Sequence, residues 1–268
     1  MKKIKKLGVI ASVVLLIAFV FIEGQKLLEE YYPNMEATTQ TAFYEFPHNK
    51  LWAHKVYSFK EADTVFQEYS GLETDVIFDT TREVFDLRHN EGDSFLNKSL
   101  DEFFSNIKNV SNYYYWIDFK NLNNTTCEKS MKRMNYLLDK HQLRDKVIVE
   151  SWNSKELGEF SKVSIATSYW IPHFEYDSLT IINHQSEIRS IRRKLDKYSL
   201  NALSADYKMY PFLERYFSDC NVHLWTNGLI NDGDKSIIVD LHKEDNVKVI
   251  LVDYKKNFIR NSNVGIKY

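Results

Sequence analysis

Leu72-Glu73-Thr74-Asp75-Val76-Ile77-Phe78 and, a few residues on, Val84-Phe85-Asp86-Leu87-Arg88 decide how this chain folds. Each is a short run rich in aliphatic and aromatic residues, and each reads as a β-strand. No helical stretch separates them, so the second returns antiparallel on the first as a hairpin. Along the rest of the chain, strands alternate with amphipathic helical stretches, which implies parallel pairing through helical crossovers. The strand candidates are 51–54, 72–78, 84–88, 113–119, 147–150, 164–170, 200–204, 222–225 and 249–253. Setting the hairpin strand 84–88 aside leaves the eight strands of a (β/α)8 TIM-type barrel.

Helices are expected at 58–69, after Ser99, at 127–141, 155–161, 186–198 and 208–217. Phe59, Ala62, Phe66 and Tyr69 share one face of the first, and Ser99 is placed to cap the second. An open doubly wound sheet is the rival architecture, but no Gly-rich strand-to-helix turn supports a nucleotide fold.

The N-terminus differs from the rest. Lys2, Lys3, Lys5 and Lys6 precede an uncharged apolar run at 7–22. As a helix it spans about 24 Å, slightly short of a bilayer's hydrocarbon core. A cleaved signal peptide calls for small residues at the cleavage site, which Ile22-Glu23-Gly24 supplies poorly. A single-pass anchor fits better, with the lysines on the cytoplasmic side and the barrel on the extracytoplasmic side. The expected organisation is a membrane anchor or signal peptide at 1–24, a juxtamembrane spacer at 25–46, a barrel at 47–260 and a tail at 261–268. Cys127 and Cys220 fit no zinc motif. A formal charge of -2 argues against a broad nucleic-acid partner.

The chemistry lies at the strand ends. Side chains alternate along a strand, so Glu73 and Asp75 point the same way, as do Asp118 and Lys120 in Trp116-Ile117-Asp118-Phe119-Lys120. Barrel function gathers at the C-terminal ends of strands, where His54 also falls, and the hairpin returns His89 to the same mouth. Paired carboxylates repel unless a cation sits between them. Three carboxylates suit the hard ions Mg²⁺ or Ca²⁺ rather than zinc. Histidines titrate near neutral pH and can move protons, and Lys120 adds a fixed positive charge. Taken singly, each piece has an ordinary structural role: a strand histidine, a solvated Glu-x-Asp, a surface ion pair. The ordered set, each member at a strand end, points to phosphodiester cleavage.

This order of motifs resembles the phospholipase-C-like phosphodiesterase superfamily, especially glycerophosphodiester phosphodiesterases and sphingomyelinases D. A first strand ending in His is matched by Trp52-Ala53-His54-Lys55, Glu-x-Asp by Glu73-Thr74-Asp75, a second His by His89 and acid-x-Lys by Asp118-Phe119-Lys120. Late segments are matched by Leu224-Trp225-Thr226-Asn227 and Leu251-Val252-Asp253, and His54-Lys55-Val56-Tyr57-Ser58 echoes the menorin-type start. The resemblance implies His54 and His89 for catalysis, Glu73, Asp75 and Asp118 for Mg²⁺ or Ca²⁺, and Lys120 for phosphate, with Lys55 beside it. Trp225 and the Tyr169-Trp170 pair are expected to line the alcohol side. Lys55 stands where the glycerophosphodiesterases usually have Arg, Asn90 where they have Asp, and their Glu-Asn-Thr segment is absent from the region of Glu61-Ala62-Asp63-Thr64. The expected substrate is a phosphodiester small molecule or lipid headgroup. The competing class is a catalytically inactive barrel that binds an envelope glycan, lipid or protein.

Overall fold

A computed structural model describes residues 49–90, 92–93, 98–172, 174, 181–226 and 232–254, together with 14, 17 and 19–21. Eight parallel strands close into a barrel: β1 (Leu51–Ala53), β2 (Gly71–Asp79), β4 (Tyr114–Phe119), β5 (Val147–Ser151), β6 (Ala166–Trp170), β7 (Ala202–Asp206), β8 (Asn221–Trp225) and β9 (Val247–Val252). The ninth, β3 (Val84–Leu87), runs antiparallel to β2. Seven helices carry the crossovers among the described residues: α1 (Phe59–Val65), α2 (Leu100–Asn106), α3 (Cys127–His141), α4 (Ser154–Lys162), α5 (Ile181–Tyr198), α6 (Tyr210–Phe217) and α7 (Asp232–Leu241).

Strand β2 is long because it does two jobs. Its first half closes the barrel against β1, with Ala53 opposite Leu72. Its second half, Val76–Asp79, pairs with β3 on that same side. The hairpin therefore stands above the closure point and delivers the chain after β3 to the C-terminal mouth, as the missing crossover helix requires.

Strand alternation sorts the core into two layers. Inside the barrel lie Trp52, Trp116, Ile148, Ala166, Val249 and Leu251. Their strand neighbours, including Leu51, Tyr115, Ile117, Val149, Leu203, Leu224 and Ile250, join the larger layer beneath the helices. Gly71 marks how tightly the inner layer packs: a Cβ there would fall 2.4 Å from the Trp52 ring. The caps follow the sequence. Ser99 Oγ accepts from the Glu102 N–H at 3.2 Å at the start of α2. At α1, Ser58 Oγ accepts from the Glu61 N–H at 3.2 Å while donating to Glu61 Oε2 at 2.9 Å, a variant of the reciprocal capping box. Glu61 of the Glu61-Ala62-Asp63-Thr64 segment thus serves the cap of α1 through Ser58.

Helix α7 is missing from the sequence reading, because Ile237-Ile238-Val239 is a β-branched run after a glycine, a poor helical signal. Cys127 and Cys220 are both buried and free. The spacer 25–46 and the tail 261–268 lie outside the described residues, as does most of the anchor at 1–24. Within the anchor, Val14, Ile17, Phe19, Val20 and Phe21 are helical and exposed. No described helix is long and apolar enough to cross a membrane.

Candidate active site

The site forms where inward-facing positions reach the C-terminal ends of β1, β2, β4 and β5. On β2, Leu72, Val76 and Phe78 face the helices, which turns Glu73 and Asp75 into the barrel. On β4, Trp116 faces inward, so Asp118 two residues later does too. Glu73 and Asp75 are each 1% exposed. One oxygen from each of Glu73, Asp75 and Asp118 lies within 4.8 Å of the others.

The two histidines flank this cluster. His54 Nε2 stands 3.7 Å from Glu73 Oε2, and His89 Nδ1 stands 3.1 Å from Asp75 Oδ2. Lys120 Nζ lies 2.7 Å from Asp75 Oδ1 and also pairs with Asp118, so one ammonium bridges two acids. Lys55 adopts φ 62°, in the left-handed region that costs a non-glycine residue energy. That conformation lets its N–H donate to Glu73 Oε2 at 2.7 Å. A pocket of about 150 Å³ is lined by the polar and charged side chains of His54, Lys55, Glu73, Asp75, His89, Asp118, Lys120 and Glu150 together with Trp170, Trp225 and Leu251.

Every site residue expected from the sequence thus lines one cleft, with one correction. Tyr169 does not accompany Trp170. Strand alternation sends it into the layer under the helices, where Lys194 Nζ donates to its hydroxyl at 2.7 Å. Asn227, part of the late motif, lies outside the described residues.

Two further residues belong to the site. Glu150 sits beside Asp118 in register, accepts from Trp116 Nε1 at 2.9 Å and from Ser204 Oγ, and is 4% exposed. Its position at the end of β5 was a usable signal, the same one that marked Asp118. Tyr57, whose hydroxyl donates to Asp75 Oδ2, carried none.

The electrostatics divide the groups. Burial pushes the Glu73 carboxyl well above the usual range, and the charges of Asp75 and Asp118 add to this. Burial raises Asp118 to about 6 against the opposing pull of Lys120. Burial acts on Asp75 too, but Lys120, Tyr57 and His89 together outweigh it and hold that carboxyl below its ordinary value. Burial, reinforced by the charge of Lys55, drives the His54 imidazole down to about 4, so it is neutral at physiological pH. Burial lowers the Lys120 ammonium as well, but Asp118 and Asp75 reverse the shift and keep it charged. Three acids, two buried and one half-buried, that share a single ammonium and offer oxygen donors fit a hard divalent cation. Glu73, Asp75 and Asp118 are the residues that would hold it.

No family model and no curated protein matches the chain. Solved structures do. A glycerophosphodiester phosphodiesterase from Parabacteroides distasonis is 14% identical, with a TM-score of 0.59 over 79% of this chain and 95% of that one. A putative glycerophosphoryl diester phosphodiesterase from Silicibacter pomeroyi is 13% identical, with a TM-score of 0.57 over 79% and 92%. An Oleispira antarctica phosphodiesterase in complex with the product sn-glycerol-3-phosphate is 13% identical, with a TM-score of 0.55 over 79% and 96%. At these identities the likeness is one of fold: the chain shares the barrel of these solved structures.

Proposed function

We propose that this protein is a metal-dependent phosphodiesterase acting on a glycerophosphodiester or phospholipid-headgroup type of substrate. One observation carries the reading: two buried carboxylates and a half-buried third within 4.8 Å of one another, flanked by two histidines, at the mouth of a barrel of this fold. A bound Mg²⁺ or Ca²⁺ would offset the phosphate's charge and polarise its oxygen.

The chain's own residues do the rest. His54, neutral because it is buried, takes the proton of the attacking hydroxyl, whether water or an internal hydroxyl of the substrate. His89, its side chain 46% exposed at the rim and anchored on Asp75, delivers a proton to the leaving oxygen. Lys55 offers the phosphate a point charge, and Lys120 joins it once Asp75 and Asp118 are otherwise neutralised. Trp170, Trp225 and Leu251 form the apolar wall for the alcohol.

The apolar run at 7–22, behind four lysines, would tether the barrel to a membrane on its extracytoplasmic side. What supports this is composition, together with the exposed apolar side chains of Val14, Ile17 and Phe19.

The test is turnover by the full chain of bis(p-nitrophenyl) phosphate and of a panel of glycerol and lipid phosphodiesters, with Mg²⁺ or Ca²⁺. Activity abolished by chelator and by His54→Ala is expected. Silence across the whole panel with both ions would overturn the reading and leave a binding barrel.

A further inference from the structure

Asp75 is the most heavily contacted acid of the cluster, and its partners are unequal. Lys120 takes Oδ1 at 2.7 Å, while Oδ2 is shared by His89 Nδ1 at 3.1 Å and the Tyr57 hydroxyl. His89 is half exposed at the rim. Tyr57 comes from the β1–α1 connection and packs its ring against the core beneath the helices.

The β1–α1 connection does not need this hydroxyl to hold its course. The His54 N–H donates to the Val252 carbonyl at 3.0 Å, and the Val56 N–H to the Glu73 carbonyl at 2.9 Å. The Lys55 N–H donates to Glu73 Oε2 at 2.7 Å, and the cap at Ser58 fixes the start of α1. The backbone is thus pinned on both sides of Tyr57. The bond to Asp75 therefore orients the carboxylate rather than the loop.

We infer that Tyr57 is a positioning residue: with Lys120 on Oδ1, its hydroxyl on Oδ2 fixes the rotation of the Asp75 carboxylate beside Glu73 and Asp118, and so the oxygen geometry the three acids offer a divalent cation. The inference rests on the metal-dependent reading of the site. Hydrogen-bond partners that orient a ligand typically contribute about 10–100-fold to metal affinity. Without the hydroxyl, Oδ2 keeps the half-exposed His89 as its one partner among the described residues, and the carboxylate, still tied to Lys120 through Oδ1, gains freedom to rotate.

The test is calorimetric titration of the metal-free full chain with MgCl₂ or CaCl₂, without substrate. Tyr57→Phe is expected to bind about tenfold more weakly than the parent while remaining folded at 25 °C by circular dichroism. The control is Tyr115→Phe. It loses a comparable buried bond, 2.9 Å to the Val110 carbonyl on the far face of β4, and is expected to keep the parent's affinity. A loss of less than threefold in Tyr57→Phe, an equal loss in both variants, or failure of Tyr57→Phe to fold would each overturn the inference. A parent chain that binds neither ion would sink the metal reading and this inference together. Normal parental binding with an unaltered Tyr57→Phe sinks this inference alone.

Discussion

His89 and Asp75 meet across the β2–β3 hairpin, with Nδ1 3.1 Å from Oδ2. The backbone repeats the contact one residue earlier, where the Arg88 N–H donates to the Asp75 carbonyl at 3.2 Å. The hairpin thus delivers a proton carrier to the same acid that Lys120 and Tyr57 hold.

The two histidines should separate by leaving group. A p-nitrophenolate needs no proton to depart, whereas an alkoxide does. His89→Ala is expected to lose about 100-fold in kcat on an alkyl phosphodiester and far less on bis(p-nitrophenyl) phosphate. His54→Ala should lose about 100-fold on both. Parallel losses in the two variants across the two substrates would remove the acid role from His89.

Lys120 is the cation that balances Asp75 and Asp118 when no metal is present. Breaking a buried ion pair from one side typically costs about 3–5 kcal/mol. Lys120→Met should lower the Tm of the chelated protein by roughly 6–20 °C, given about 2–4 °C per kcal/mol for a domain of this size. Added Ca²⁺ or Mg²⁺ should narrow the gap, and scanning fluorimetry with and without the ion reads it.

Glu150 makes the metal-free protein lose stability as pH rises toward 8. Burial, with the charge of Asp118, raises its carboxyl to about 8 from the ordinary 4.5. Between these values the folded chain keeps a proton that the unfolded chain releases. The folded state binds more protons, so this group's contribution to stability falls as pH rises from about 4.5 to 8. In chelator, the Tm of Glu150→Gln relative to the parent should therefore climb between pH 5 and pH 8. A difference that stays flat over that range would contradict the assignment.

Barrel closure should be sensitive at Gly71. An added methyl falls 2.4 Å from the Trp52 ring, and Trp52 is itself wholly buried inside the barrel. Overpacking of this kind typically costs about 1–3 kcal/mol. Gly71→Ala should lower the urea midpoint with an unchanged m-value, measured by equilibrium unfolding. Gly92→Ala meets nothing within 4 Å and serves as the neutral comparison.

Much of the site was legible because a strand has a two-residue period. Once 72–78 is a strand, Glu73 and Asp75 must share a face, and the same rule joins Asp118 to Lys120. Where the rule was set aside it failed: Tyr169 and Trp170 are adjacent, so they cannot both face the cleft, and Tyr169 lies under the helices instead. Glu150 followed the rule and went unread, although it lies one residue from the end of its strand, as Asp118 does. Tyr57 was out of reach, since its bond to Asp75 joins a loop to a strand through tertiary packing alone.

By itself, the amino-acid order determined the barrel's strand succession and six of the seven described crossover helices, the unhelped return of 84–88 as a hairpin, and which acids share a face, because each depends on local periodicity and on short connections. Only the tertiary structure decided that β2 splits its edge between β1 and β3, that burial keeps His54 neutral, and that Tyr57, His89 and Lys120 converge on Asp75. Those outcomes depend on distances and desolvation between segments far apart along the chain, which no local pattern encodes.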